Sequence, residues 1–331
     1  MSSTHPPISF ADVTAARTRL RAHFPMSPAM TYPLLDDLVG QGIRVWVKHD
    51  NHLPVSTFKV RNATSALTAL VARDPDAARR GVAAATTGNH GQGLAWAGAR
   101  LGVPVTICVP VGNNPEKNAS IRSYGARLIE AGATYDEAIA SCETVIAAEG
   151  LTLVHSTNDR EVLAGAGTLT AEFLEQVPEL DAMVIALGGG SQCVGAITVR
   201  NAIRPSMAVF AVQSEGASAQ HDAWHDGVAR RSQSVHTFAE GIATGSTYPM
   251  TFDVLRTGLS DFVLVSEDAI AQGVRDLLRI THNIAEGAGA AGLAGLRVLA
   301  PRLAGKRVGI VLCGGNMDGA RLRVILAGGT P

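Results

Sequence analysis

The chain has 331 residues, 46% of them hydrophobic and 17% charged, with a formal net charge of −1. That length exceeds one minimal core and implies one large α/β unit or two coupled lobes, and the apolar fraction excludes a disordered chain. Balanced charge and only 5% aromatic residues exclude nucleic-acid binding by phosphate attraction or base stacking.

Short β-branched runs alternate with alanine-rich helical stretches along the chain. In order, the predicted elements begin with a strand at Ile43–Val47, a helix starting near Val60, a strand at Gly81–Ala85 and a helix at Gly91–Leu101. A strand at Val105–Val109, helices at Asn114–Tyr124 and Asp136–Ala148, a strand at Leu151–Val154 and a helix at Val162–Gln176 come next. Strands at Met183–Leu187, Val209–Gln213 and Phe262–Val265 follow, then helices at Asp268–Ile280 and Ala288–Leu299, and a last strand at Val308–Leu312. Continuous apolar strands separated by helices predict an α/β fold of parallel sheets covered on both faces. The polar stretch Ser218–Ser234 reads as a surface excursion.

In parallel sheets ligands bind outside the carboxyl ends of the strands. Three predicted strand exits carry small polar residues: Thr86-Thr87-Gly88-Asn89-His90, Gly188-Gly189-Gly190-Ser191 and Cys313-Gly314-Gly315-Asn316. The first opens a helix, whose free N–H groups and positive end attract an anion, although a plain strand-to-helix turn has the same form. The glycine run is either a flexible connector or a cup for an oxyanion. It is not a dinucleotide fingerprint, because the third glycine of that pattern falls at Cys193, and the same residue breaks a nucleophile elbow around Ser191.

Only four lysines occur, and Lys59 lies in Ser56-Thr57-Phe58-Lys59-Val60-Arg61, at a helix entrance behind an aromatic ring. Alone it reads as a surface charge. A partly desolvated amine near another cation, here Arg61, loses basicity, which imine formation requires. His221 and His225 are spaced like a helical zinc pair, but Asp222 lies between them where a metalloprotease has glutamate, and no further ligand is evident, so no metal is expected. The cysteines Cys108, Cys142, Cys193 and Cys313 have neither close spacing nor finger spacing and are expected to be reduced thiols. Met1–Arg21 has no apolar signal core, and no run of about 18 apolar residues could span a bilayer. A soluble cytoplasmic protein without membrane or nucleic-acid partners is expected.

Together these segments resemble the fold-type II pyridoxal-phosphate enzymes, in particular serine/threonine dehydratases. Ser56-Thr57-Phe58-Lys59-Val60-Arg61 is similar to that family's S-F-K-x-R-G lysine motif, and Thr86-Thr87-Gly88-Asn89-His90-Gly91-Gln92-Gly93 to its S-S-G-N-H-x-Q-G loop. Gly188-Gly189-Gly190-Ser191 resembles the tetraglycine loop and Cys313-Gly314-Gly315-Asn316 the S-G-G-N segment. Ala239-Glu240-Gly241-Ile242-Ala243 and Glu286-Gly287-Ala288-Gly289-Ala290-Ala291 add similar segments in the same order.

The resemblance implies a two-lobed fold like that of the tryptophan synthase β subunit. Residues 1–80 and 159–331 would form a large cofactor-binding domain and 81–158 a small domain carrying the substrate loop. It implies that Lys59 holds pyridoxal 5'-phosphate as a Schiff base and removes the α-proton, with Phe58 against the ring and Asn89 at its phenolic oxygen. Gly188, Gly189, Gly190, Ser191 and Gln192 would hold the phosphate, and Thr86, Thr87, Gly88, Asn89 and His90 the substrate carboxylate. Cys313 would face the pyridine nitrogen, where a neutral thiol stabilises a carbanion poorly and favours loss of a β-substituent.

The expected activity is therefore dehydration and deamination of a 3-hydroxy amino acid such as L-threonine or L-serine to a 2-oxo acid and ammonia, by a homodimer. Racemisation and β-replacement on the same scaffold are the alternatives, and a catalytically silent binding module is the alternative from another class. Asn62, Ser191, Cys313 and Thr87 depart from the most frequent family residues. A threonine hydroxyl at Thr87 leaves racemisation open. The short sequence after Asp318 implies no C-terminal regulatory domain.

Overall fold

A computed structural model of the chain describes residues 6–231 and 234–331. Its strands are β1 (Ala29–Thr31), β2 (Arg44–His49), β3 (Val82–Ala85), β4 (Val105–Val109), β5 (Arg127–Glu130), β6 (Thr152–Leu153), β7 (Ala182–Ala186), β8 (Ala208–Ser214), β9 (Asp261–Val265) and β10 (Arg307–Leu312). They form a six-stranded sheet in the order β1-β2-β10-β7-β8-β9 and a four-stranded sheet in the order β5-β4-β3-β6. All pairings are parallel except that of β1 with β2. The predicted α/β class with helix-covered parallel sheets is the observed one.

The central strands explain why this pattern was readable. Every residue of β4 is buried, and Val82 pairs with Val105, so apolar side chains leave both faces of the sheet into helices. The two strands absent from the predictions lack that signature. β5 reads Arg-Leu-Ile-Glu, with a charge at each end and half-exposed side chains, as befits an edge. β1 has three residues, between Pro28 and Tyr32-Pro33. The Ser218–Ser234 stretch is not wholly a surface excursion. It contains the helix Ala219–Asp226, whose Ala223 is fully buried, and the Trp224 indole N–H donates to the Leu255 carbonyl at 3.0 Å. Residues 232 and 233 of that stretch lie outside the described residues.

Three helices fix the region ahead of the site: Lys59–Arg73, Arg160–Gln176 and Ser191–Ile203. They approach backbone to backbone through glycines. A Cβ on Gly165 would lie 2.6 Å from the Arg61 carbonyl, and one on Gly195 would lie 2.5 Å from the Gly167 backbone. Ordinary side chains would force these helices apart and move Lys59 relative to the loop at 188–192. Asp159 caps the middle helix by accepting from the N–H groups of Glu161 and Val162.

Candidate active site

The exits of β2, β3, β7 and β10 converge on a cavity of about 830 Å³, which also borders the loop after β6. Phe58, Lys59, Thr86 to His90, Gly188 to Gln192 and Cys313 all line it, so the residues expected to hold cofactor and substrate share one cavity, whereas Arg61, His221 and His225 do not border it.

Lys59 is the first residue of its helix. The chain enters through two consecutive non-glycine residues with positive φ, Val55 (54°) and Ser56 (49°). For a β-branched residue that is a strained conformation, of the kind that persists only where neighbours over-determine it. Here the Asn316 side chain donates to the Val55 carbonyl at 2.9 Å, and the Gly315 N–H donates to the Ser56 carbonyl at 2.9 Å. The Phe58 N–H donates to the Cys313 carbonyl at 2.9 Å, tying the lysine segment to the exit of β10.

The Lys59 amine lies 4.9 Å from the Phe58 ring centroid, and its one hydrogen bond is a long one, 3.4 Å to the Ser156 carbonyl. Burial lowers its pKa to about 8, partly opposed by Cys313 and Glu286. The expected influence of Arg61 is corrected by the geometry. Two residues along a helix point away from each other, and the Arg61 guanidinium is fully buried among Asp50 (2.7 Å), Glu172 (2.7 Å), Ser27 (3.3 Å) and Thr168 (3.2 Å). Desolvation, not a second cation, lowers the basicity of Lys59.

The loop after β3 opens the helix Asn89–Leu101, so its first-turn N–H groups have no intrahelical acceptors. His90 is buried, and its Nε2 lies 2.9 Å from the Val154 carbonyl. A carbonyl only accepts, so Nε2 carries the proton and Nδ1 is left as a buried acceptor without a partner. Burial and the charge of Lys59 lower the His90 pKa to about 3. A neutral imidazole so tied has no ring N–H to offer a carboxylate; the backbone N–H groups of the loop do.

The glycine run lies at the N-terminus of the helix Ser191–Ile203. Gly190 has φ +98°, a conformation that suits glycine alone, at the turn into that helix, and Ser191 and Gln192 beyond it line the cavity. A Cβ on Gly188 would meet the Gly241 carbonyl at 2.6 Å, and one on Gly189 would collide with the Thr157 hydroxyl. The Gln192 Nε2 is buried without an acceptor. On the same cavity wall, burial pushes the Cys313 thiol up, with Glu286 adding to the effect, so the sulfur stays protonated at neutral pH.

Five charged residues on the cavity wall were not identified from sequence as site residues: Lys117, Glu240, Glu286, Asp318 and Arg321. The Glu240 carboxylate bridges Lys117 and Arg321, and Arg321 also contacts Asp318 at 3.2 Å. Burial alone would raise the Glu240 pKa, but those two cations hold it below the usual carboxylate range. Glu286 is buried, and burial raises its pKa despite Lys117 and an Asn89 hydrogen bond. The signal available in the sequence was the scarcity of lysine, which marked Lys117 as much as Lys59.

The His221 and His225 ring centroids lie 4.4 Å apart with the rings tilted at 58°, but among the described residues no cluster of three or more His, Cys, Asp or Glu side chains is arranged to hold a metal. Nor is any helix of the described residues long and apolar enough to cross a membrane. All four cysteines are free thiols.

The family model described as pyridoxal-phosphate dependent enzyme matches residues 21–314. An L-threo-3-hydroxyaspartate ammonia-lyase of a Pseudomonas species is 32% identical over 97% of this chain and 99% of its own length. An L-threonine ammonia-lyase of Thermotoga maritima is 31% identical over 94% of this chain and 76% of its own. Among solved structures, maize serine racemase superposes with a TM-score of 0.91 at 26% identity, covering 97% of this chain and 98% of that one.

Proposed function

The chain belongs to the pyridoxal-phosphate-dependent enzyme family, and from that premise we propose that it is an ammonia-lyase converting a 3-hydroxy amino acid, such as L-threonine or L-serine, into a 2-oxo acid and ammonia. The observation that carries this reading is the desolvated Lys59 amine sharing one cavity with a protonated Cys313 thiol. The residues fit the cofactor. Gly188, Gly189 and Gly190 leave room that a Cβ would fill, and the unpartnered Gln192 amide supplies a donor for its phosphate. Pyridoxal phosphate supplies an electron sink conjugated to the substrate α-carbon.

The chain supplies the rest. The Lys59 amine would hold the cofactor and, when free, is the base placed to take the substrate α-proton on its nitrogen. The N–H groups of Thr87, Gly88, Asn89 and His90 receive the substrate carboxylate at the helix N-terminus. A protonated Cys313 would bring no negative charge to a bound cofactor, which would then be a weaker electron sink than one paired with a carboxylate. Negative charge at the α-carbon would then be better relieved by loss of the β-hydroxyl, leaving as water with the proton that Lys59 has taken, than by waiting for reprotonation at carbon, which supports elimination over racemisation. Residues 81–158, which hold β3 to β6, are taken as the smaller lobe of a homodimeric enzyme.

The test is a substrate panel on purified protein loaded with pyridoxal phosphate: L-threonine, L-serine and L-threo-3-hydroxyaspartate, reading 2-oxo acid and ammonia together with chiral amino-acid analysis. The last substrate is included because a full-length relative carries its name. The proposal predicts equimolar 2-oxo acid and ammonia from at least one of them. Enantiomer formation without 2-oxo acid would establish racemisation instead, and the same panel under sedimentation analysis reads the dimer.

A further inference from the structure

We propose that Glu286 is a positioning residue for the cofactor ring: its carboxyl takes the amide of Asn89 and thereby fixes which edge of Asn89 is turned to the cavity. This rests on the reading that pyridoxal phosphate occupies the cavity with its phenolic oxygen at Asn89.

The orientation follows from one carbonyl. The Asn316 Nδ2 donates to the Val55 carbonyl at 2.9 Å, and a carbonyl can only accept, so Asn316 cannot be flipped. Its Nδ2 also donates to the Asn89 Oδ1 at 2.8 Å, which places the oxygen of Asn89 on that side. The Asn89 Nδ2 must then lie on the other side, where it donates to the Glu286 Oε1 at 2.6 Å. An amide has two N–H groups and one oxygen. With one N–H spent on Glu286 and the oxygen spent on Asn316, a single N–H remains for the cavity, aimed by two fixed neighbours.

The place of Glu286 is reserved as well. Its backbone N–H donates to the Gly314 carbonyl at 3.1 Å, and any side chain at Gly314 would collide with its carboxyl. Burial raises the Glu286 pKa, Lys117 and Asn89 oppose that, and Glu240 adds to it. Charged or protonated, the carboxyl keeps an oxygen that accepts from the Asn89 amide at 2.6 Å. Deleting the acceptor leaves a buried N–H that turns or takes water, and the ring loses its fixed donor.

The experiment compares Glu286→Gln with Glu286→Ala, reading the visible absorption maximum of the bound cofactor and its dissociation constant alongside KM and kcat. Glutamine keeps an acceptor oxygen at the same reach, so the band and the affinity stay as in the native protein. Alanine is expected to shift the band and weaken cofactor binding by about tenfold, the loss for one buried hydrogen bond. If alanine prevents folding, Glu286→Asp, one methylene too short, takes its place with the same expectation. An unchanged band and affinity in the alanine or aspartate variant overturns the proposal. So does a glutamine variant with native spectrum and affinity but lost turnover, because that outcome makes Glu286 a proton donor. Absence of any Lys59-dependent band in the native protein defeats the cofactor reading itself and is distinct from either result.

Discussion

Replacing Arg61 with methionine removes the cation that hydrogen-bonds both Asp50 and Glu172 in the interior. Arg61 and Asp50 are wholly shielded from solvent, and the Glu172 side chain nearly so. The remaining cation, Lys48, is 3.6 Å from Glu172 and held by the Ser27 carbonyl (2.5 Å) and Gln176 (2.8 Å), so it cannot serve both carboxylates. Removing one partner of a buried pair typically costs about 3–5 kcal/mol, a large part of a net folding stability of about 5–15 kcal/mol. Methionine restores most of the volume, so a cavity adds little.

The pH dependence gives the prediction its sign. Burial alone would raise the Asp50 pKa, but Arg61 and Lys48 hold it below the ordinary value. A lowered folded-state pKa contributes stability above the unfolded-state value of about 3.9, and that contribution is lost as pH falls through the folded-state value. In the variant Asp50 is buried with less compensation and protonates more readily. The gap between the two proteins therefore narrows on acidification. Urea unfolding followed by circular dichroism, from about pH 7 down to about pH 4, measures it. A loss under about 1 kcal/mol at neutral pH, or a gap that does not change with pH, would refute the account of this cluster.

Two further outcomes follow from the cavity. Uptake of pyridoxal phosphate by cofactor-free protein should speed up about tenfold per pH unit below the Lys59 pKa of about 8 and level off above it, because only the neutral amine attacks an aldehyde. Stopped-flow absorbance measures this; uptake independent of pH across that range contradicts the assigned nucleophile. Glu240→Gln frees Lys117 and Arg321 from their shared carboxylate, and should raise kcat/KM for L-threo-3-hydroxyaspartate relative to L-threonine by about tenfold, the scale of one new charge contact. An unaltered ratio means that these cations do not reach the substrate side chain.

What the sequence disclosed and what it withheld differ in physical kind. Loops at strand exits are local objects: Thr86 to His90, Gly188 to Gln192 and Cys313 each follow a largely buried apolar strand, and the topology of parallel sheets sends them to the same side. Such sites can be read one segment at a time. The pairing of Glu240 with Lys117 and Arg321 joins positions 123 and 81 residues apart, and nothing near any one of them announces the others. The role first given to Arg61 failed for a related reason, since its partners come from the exit of β2 and from the helix Arg160–Gln176, not from its own motif.

One compositional feature does reach beyond local pattern. Of the 28 basic residues only four are lysines, so arginine carries nearly all of the surface cation chemistry. Lys306 is exposed, whereas Lys48 and Lys117 are buried and Lys59 lines the cavity. Arginine stays charged in any protein environment, while a lysine amine gives up its proton when desolvated. A chain that uses arginine on its surface and keeps lysine mostly inside places a titratable amine where a neutral form is useful, at Lys59, and compact single-point cations where a carboxylate must be met in little space, at Lys48 and Lys117. Exchanging lysine for arginine at the two structural positions should therefore cost packing, whereas the same exchange at Lys59 should leave the fold intact and abolish the chemistry.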